Sequence, residues 1–458
     1  MQNAPQESLE ALRSDLTGGV ALPGEHDWDI ARQAFNLALD QRPEAVAFPA
    51  SADDVSIVVR FAREHGLRIA PQRTGHNAAP LGALEGTILL KTSEMQGVEI
   101  DAEARSARAQ AGALWQDLVP QASELGLAAL HGSAPDIGIV GYSLGGGVGW
   151  YARKLGLATN SVTAVEIVTG DGSQLRADAD HEPDLFWAVR GGGGNFGVVT
   201  AIEMALYPIA ELYAGALFFP LERSSDVLHA WREWVQGVPE EVTSVGRILN
   251  FPPLPEIPEP MRGNSFVLVE LACLCDEAEG VEISKPLHDL GPAMDTVAMV
   301  PPAVLPELHM DPPDPVPYLG HDRLLREIPS KAIDDVVEAA GPGSGTSLLS
   351  VEIRHLGGEL ARSSSDNGAL DSIEAPFMAY CVGMLADEES LARLEPDIAR
   401  VDGALAPYDF GRGYYNFVER SVDATYLYDA DTLERLRKVR SQHDPDRIFR
   451  ANHEISVA

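Results

Sequence analysis

The sequence predicts an α+β protein of more than one domain, on three observations. Its 458 residues exceed the roughly 250–300 at which a single hydrophobic core stops growing. From about Arg42 to Ala205, short β-like runs alternate with helical stretches and glycine-rich turns. From about Tyr207 to Asp409 the glycine clusters thin out, and strand-like and helical runs suit an antiparallel sheet with flanking helices.

In order along the chain, Val46 to Pro49 reads as a strand, Ala52 to His65 as an amphipathic helix and Leu67 to Pro71 as a second strand. Thr163 to Thr169 is a strand closed by the Asp171-Gly172 turn. On these signals alone the first region is α/β or α+β. In the second region Ser265 to Leu274, Leu348 to His355 and Pro376 to Met384 have strand character, and Ser330 to Ala340 and Glu388 to Val401 helical character. Two proline-rich stretches, Phe251 to Pro260 and Pro301 to Pro317, read as long surface loops. Near the C-terminus a helix over Asp431 to His443 is ended by Asp444-Pro445-Asp446. Domain boundaries are therefore expected at 1–206, 207–410 and 411–458.

Net charge is −35, from 34 basic and 69 acidic residues, which sets the chain against nucleic acid and anionic membrane surfaces as partners. Hydrophobic content is 45%, and no apolar run approaches the ~20 residues that span a bilayer. Met1 to Gly18 is polar and acidic and lacks a secretory pattern, so a cytoplasmic location is expected. The three cysteines, Cys273, Cys275 and Cys381, are too few for a disulfide framework or a common zinc motif, and no metal is expected.

Three glycine-centred segments carry the chemistry. Arg73-Thr74-Gly75-His76-Asn77 offers a cation and a glycine turn with exposed N–H groups, which a pyrophosphate requires. Gly138 to Gly149 holds six glycines in twelve positions; a flexible linker would have polar neighbours, but Ile137, Ile139, Val140, Leu144 and Trp150 are apolar, which points to close approach of main chain to a ligand. The third, Leu185 to Gly197, with Arg190-Gly191-Gly192-Gly193-Gly194-Asn195 at its centre, is not a G-x-G-x-x-G dinucleotide fingerprint, so nicotinamide is disfavoured.

Together with Tyr414-Tyr415-Asn416-Phe417 and Asp444-Pro445-Asp446-Arg447-Ile448-Phe449-Arg450-Ala451-Asn452, these segments resemble the berberine-bridge-enzyme-like family of the vanillyl-alcohol oxidase and p-cresol methylhydroxylase superfamily. The resemblance runs over nearly the whole chain. It implies a two-part FAD-binding domain (PCMH type), a substrate domain with an antiparallel sheet flanked by helices, and a C-terminal segment returning to the FAD domain. His76 matches the histidine that bonds the flavin 8α-methyl, and Arg73, Thr74, Gly75 and Asn77 the loop around the pyrophosphate. Gly138, Gly141, Tyr142, Gly145, Gly146 and Gly149 fall in the cofactor-binding tract, Asn416 and Asn452 match positions near the ring, and Gly197 and Val199 the adenine end.

Where many relatives carry a second, cysteine-linked bond this chain has Ala134, so FAD is expected on one bond only. Ile139 stands where a smaller residue is thought to govern oxygen access, and its bulk counts against efficient oxygen use. The implied function is oxidation of a small, secondary-metabolite-like alcohol or amine by hydride transfer to flavin N5, with O2 or another acceptor. The alternatives are a dehydrogenase with a non-oxygen acceptor and a flavin-binding protein without turnover. Tyr414 is the candidate base and needs a nearby positive charge, because a phenol ordinarily titrates near ~10. Arg354 is the candidate for that charge. Carbohydrate-oxidising relatives carry an acid near this position, which argues against an oligosaccharide.

Overall fold

The computed structural model describes residues 6–255 and 257–456. Residues 1–5 of the polar N-terminal stretch, Glu256 of the first proline-rich loop and the last two residues lie outside them. Three sheets organise the fold. The first runs in the order Gly19–Ala21, Ala45–Phe48, Thr87–Lys91, Arg68–Gln72, with the last two pairings parallel. Ala52–His65 crosses between two of its parallel strands. The Ser51 hydroxyl accepts the Asp54 N–H at 3.2 Å to start this helix, and Gly66 ends it at φ 66°.

The second sheet is antiparallel, ordered Val98–Asp101, Ser106–Gln110, Val198–Ala205, Val162–Val168, Gln174–Asp178. One large core joins both sheets, with Val55, Ile69, Ile88, Ala109, Trp115, Ile167 and Phe196 buried in it.

The third sheet has eight strands, all antiparallel: seven run from Met294–Asp295 through Leu212–Pro220, Ser265–Cys273, Val242–Asn250, Ser350–His355 and Phe377–Met384 to Tyr318–Leu325, and Ala298–Val300 pairs with Leu212–Pro220 off this path. Its strands alternate, so each has one face for helices and one for the rest of the molecule. Trp231 of Ser224–Trp234 packs on Gly246 from the helix side; a Cβ there would sit 2.9 Å from the indole. Ser330–Ala340 and Glu388–Leu405 cover the same side. The opposite face carries Val245, Arg247, Glu270, Glu352 and Arg354, since Val245 pairs with both Glu270 and Arg354 and Arg247 with Glu352.

Pro301 to Pro317 corrects the sequence reading. It is not simply a surface loop: Pro302–Glu307 forms a 3-10 helix, Leu305 is fully buried, and His309 is 2% exposed beneath the charged face of the third sheet. Proline density marks the absence of regular hydrogen bonding, not exposure.

After the helix Ala430–His443 the chain returns to the first sheet. The Ile69 N–H donates to the Ile448 carbonyl at 2.8 Å, and the Arg450 N–H to the Ile69 carbonyl at 2.8 Å. Asp444 holds this turn, its carboxylate accepting the Ile448 N–H at 2.6 Å and facing the buried Arg440 at 3.3 Å. Among the described residues no helix is long and apolar enough to cross a membrane, and no His/Cys/Asp/Glu group is arranged to hold a metal. All three cysteines are free; Cys273 and Cys381 are buried.

Candidate active site

His76 lies in the loop that leaves Arg68–Gln72. Gly75 makes the turn at φ 82°, and a Cβ there would meet the Gln72 amide at 2.4 Å and Ala34 at 2.9 Å. The imidazole stacks on Phe35, centroids 3.8 Å apart, with Nδ1 2.8 Å from the Thr74 hydroxyl and Nε2 3.6 Å from Asp136. Burial lowers its pKa to about 3, so the ring is neutral. Its carbonyl accepts the Tyr318 hydroxyl at 3.0 Å, which ties the loop to the third sheet. Asp136 is itself pushed up to about 6 by burial.

The C-terminal segment meets this loop and the glycine tract together. Asn77 donates to the Tyr415 carbonyl at 3.0 Å, and Asn452 donates to the Asn77 carbonyl. Asn416 donates to the Tyr142 carbonyl at 2.9 Å. The Tyr414 hydroxyl accepts the N–H groups of Gly147 at 2.8 Å and Val148 at 3.1 Å, with the Asn416 amide at 3.3 Å. His76, Asn77, Tyr142, Tyr414, Asn416 and Asn452 therefore form one connected neighbourhood.

The glycine tract opens as the helix Ile139–Leu144 and then turns through Gly146 and Gly147, both at positive φ. At most of these glycines a side chain would strike protein neighbours. A Cβ on Gly145 would lie 1.8 Å from Asn416 Oδ1, on Gly146 2.8 Å from the Tyr414 ring, on Gly149 1.9 Å from the His131 carbonyl, and on Gly138 3.0 Å from Arg73. Gly141 differs: a Cβ there meets nothing within 4 Å. Ile139 and Val140 turn into the main core, at 0% and 8% exposure. Gly197 and Val199 stand at the central strand of the second sheet, where a Cβ on Gly197 would strike the Val168 carbonyl at 2.5 Å; no hydrogen bond among the described residues joins them to the His76 neighbourhood.

Arg354 acts on Tyr414 through its charge and not through a hydrogen bond. Its Nε donates to Glu352 at 2.6 Å, and Phe417 stands between, its ring 5.0 Å from the guanidinium and 5.7 Å from the Tyr414 ring. Burial pushes the Tyr414 phenol above its ordinary value, outweighing the three donors and the charge of Arg354.

Sequence reasoning missed His309. Its Nδ1 is 2.7 Å from Glu270 and its Nε2 2.6 Å from Glu352, and Arg247 contacts Glu270 at 3.3 Å. A signal existed in Glu270, an acid inside the apolar run Val267 to Cys275.

Several features around His76 suit a phosphate-bearing cofactor. Arg73 spends only Nε, on the Gly112 carbonyl at 2.6 Å, and Lys91 only a contact to the Gln33 carbonyl; neither pairs with an acid among the described residues. Burial, reinforced by Arg73, lowers Lys91 to about 8, and an anion beside both would relieve that cost. The Gln72 amide, Asn77 Oδ1, Asp136 Oδ1 and the Tyr142 hydroxyl are buried without hydrogen-bond partners.

Residues 43–178 match the FAD binding domain family. (R)-6-hydroxynicotine oxidase of Paenarthrobacter nicotinovorans is 38% identical over 42% of this chain and 42% of its own length, so the chain aligns with less than half of that relative. Xylooligosaccharide oxidase of Thermothelomyces thermophilus is 26% identical over 98% of this chain and 94% of its own. The fold of berberine bridge enzyme from Eschscholzia californica superposes with a TM-score of 0.84, covering 98% of this chain and 99% of that one at 19% identity. The chain therefore contains an FAD-binding domain, and its fold as a whole is similar to that of berberine bridge enzyme. The α+β class expected from the sequence holds, and so does an FAD-binding domain in its first half.

Proposed function

We propose that the protein carries FAD on a single bond through His76 and oxidises a small alcohol or amine, with Tyr414 taking the substrate's proton. The observation that carries this reading is the Tyr414 hydroxyl, buried between the glycine tract and the C-terminal segment and facing three donors, from Gly147, Val148 and Asn416. Donors of this kind hold a phenolate better than a phenol.

His76 supports the linkage by its state. A neutral ring keeps a lone pair for bonding, and stacking on Phe35 with the Thr74 contact fixes its orientation. Ala134, 4% exposed in the segment leading to Asp136, offers no second attachment. Arg73, Lys91, Thr74, Gly75 and Asn77 would hold the phosphates, and Tyr142, Asn416 and Asn452 the ring end. FAD supplies a hydride acceptor when bound. The protein's own contribution is to orient the substrate, exclude water and remove a proton at Tyr414 Oη. The oxidases among the relatives favour O2 as final acceptor. The bulk of Ile139 keeps a dehydrogenase as the second reading, although that side chain packs into the core.

Anaerobic mixing with panels of alcohols, amines and sugars tests this. Bleaching of the flavin by an alcohol or amine, and its return on admitting air, is the expected result; no bleaching by any compound contradicts turnover, and bleaching that air does not reverse selects the dehydrogenase. Tyr414→Phe should slow flavin reduction by about 10²–10⁴-fold, the range for a lost general base. Because burial raises the phenol, the wild-type rate should climb with pH into the alkaline range without a plateau near neutrality, and the variant should lose that slope.

A further inference from the structure

A narrow pocket opens between the glycine tract and the charged face of the third sheet, with about 20 Å³ of free interior space. That is room for one small group, since a water needs roughly 10–15 Å³ on the same measure. Ser133, Val148, Gly149 and Trp150 form one side and Ser244, Val245 and Arg354 the other. Val148, whose N–H donates to Tyr414 at 3.1 Å, makes the pocket continuous with the proposed proton-transfer site. Its charged walls are Arg354 and Arg153, and no carboxylate lines it. In a chain of net charge −35 that selection of charge is specific to the place.

The groups behind the wall balance. Glu270 and Glu352 face the two nitrogens of His309 at 2.7 and 2.6 Å. Carboxylates only accept, so both nitrogens must carry protons and the ring is a cation, in keeping with a pKa of about 9. His309 and Arg247 thus offset the two acids, and Asp311 is the further acid whose charge reaches Arg354. Arg354 gives Nε to Glu352, its Nη2 lies 3.2 Å from the protonated His309 Nε2 as one cation beside another, and its Nη1 makes no hydrogen bond among the described residues. Arg153 is 6% exposed and uses its donors on the carbonyls of Val242 and Leu356 and on His355, while the charge of Glu240 acts on it from outside the lining. Asp311 accepts the hydroxyl of the lining residue Ser133 at 3.2 Å.

We propose that this pocket takes the carboxylate of the substrate, which makes the oxidised compound a small hydroxy or amino acid-like monoanion held by Arg354. The free guanidinium edge and the small volume match a planar carboxylate better than a phosphate dianion of greater volume and charge. The inference rests on the oxidase reading for the word substrate, but its binding step does not.

The test is equilibrium binding to the flavin-loaded protein, read by tryptophan fluorescence, since Trp150 lines the pocket. Acetate and benzoate are compared with acetamide and benzamide, and with inorganic phosphate. The carboxylates should bind at least about tenfold tighter than their amides, the scale of a charge-assisted hydrogen bond in a dry site. Arg354→Gln should erase the difference, and Arg354→Lys should keep part of it. Equal affinity of acid and amide, no binding of either, tighter binding of phosphate, or a preference that survives Arg354→Gln each overturns the proposal. Should Arg354→Gln fail to fold, the wild-type comparison decides alone. Carboxylate binding without flavin reduction by any compound would instead leave the pocket standing and remove the oxidase reading.

Discussion

Gly145 shows how single residues shape the site. A methyl group there would lie 1.8 Å from Asn416 Oδ1 and 3.0 Å from the Tyr415 ring, so Gly145→Ala must push the C-terminal segment off the glycine tract. Overpacking of this kind costs about 1–3 kcal/mol, and we expect a lower Tm together with weakened flavin retention; an unchanged Tm would mean the segment yields freely. The glycines were legible in the sequence as positions where a side chain has no place, but not what excludes it. Their density suggested a ligand, and Tyr414, Asn416, His131 and Arg73 stand where their side chains would lie. Only Gly141 faces open volume. Tyr414 and Arg354 were likewise legible as functional residue types, yet the Phe417 ring between them follows from packing that spacing along the chain does not encode.

At the level of elements, Ala52–His65 and Ser330–Ala340 fall where their apolar periodicity and end signals put them, because those signals are local. The ionic group of the third sheet was invisible because its members come from distant strands and a proline-rich loop. Arg247, Glu270, Glu352 and Arg354 share a face only through antiparallel register, and His309 arrives from below. His309→Leu should leave two carboxylates, 0% and 2% exposed, without the cation between them. Removing one partner from a buried ionic group costs about 3–5 kcal/mol. The loss, followed by chemical denaturation, should be smaller at pH 5 than at pH 8, because acid lets one carboxylate take up a proton. An equal loss at both values would show that the two acids do not repel across the gap.

For the whole molecule, buried titrating groups set a pH window for stability. His76, His131, His355 and His453 are held neutral, with values lowered to about 3, 4, 3 and 4 by burial. The unfolded chain binds more protons than the fold below the ordinary histidine value of 6.5, so stability falls as pH drops from about 6.5 towards 3. Glu419, raised to about 8 by burial, and His309, raised to about 9 by Glu270 and Glu352 against its desolvation, act oppositely. Each keeps a proton in the fold that the unfolded chain releases earlier, so their contributions are full at low pH and lost as pH rises through 8 and 9. Tm should therefore peak between about pH 6 and 8, and Glu419→Gln should flatten the alkaline limb; a peak below pH 5 would contradict these assignments. The central claim, FAD on one bond through His76, is tested most directly by mass spectrometry of a tryptic digest of the acid-denatured holoprotein. Cleavage after Arg73 and Lys91 gives a peptide of residues 74–91 that contains His76. It should carry the mass of FAD less the hydrogens lost in the bond, while the peptide of residues 109–153, which contains Ala134, should be unmodified. Flavin released into solution with residues 74–91 at their unmodified mass would contradict the account.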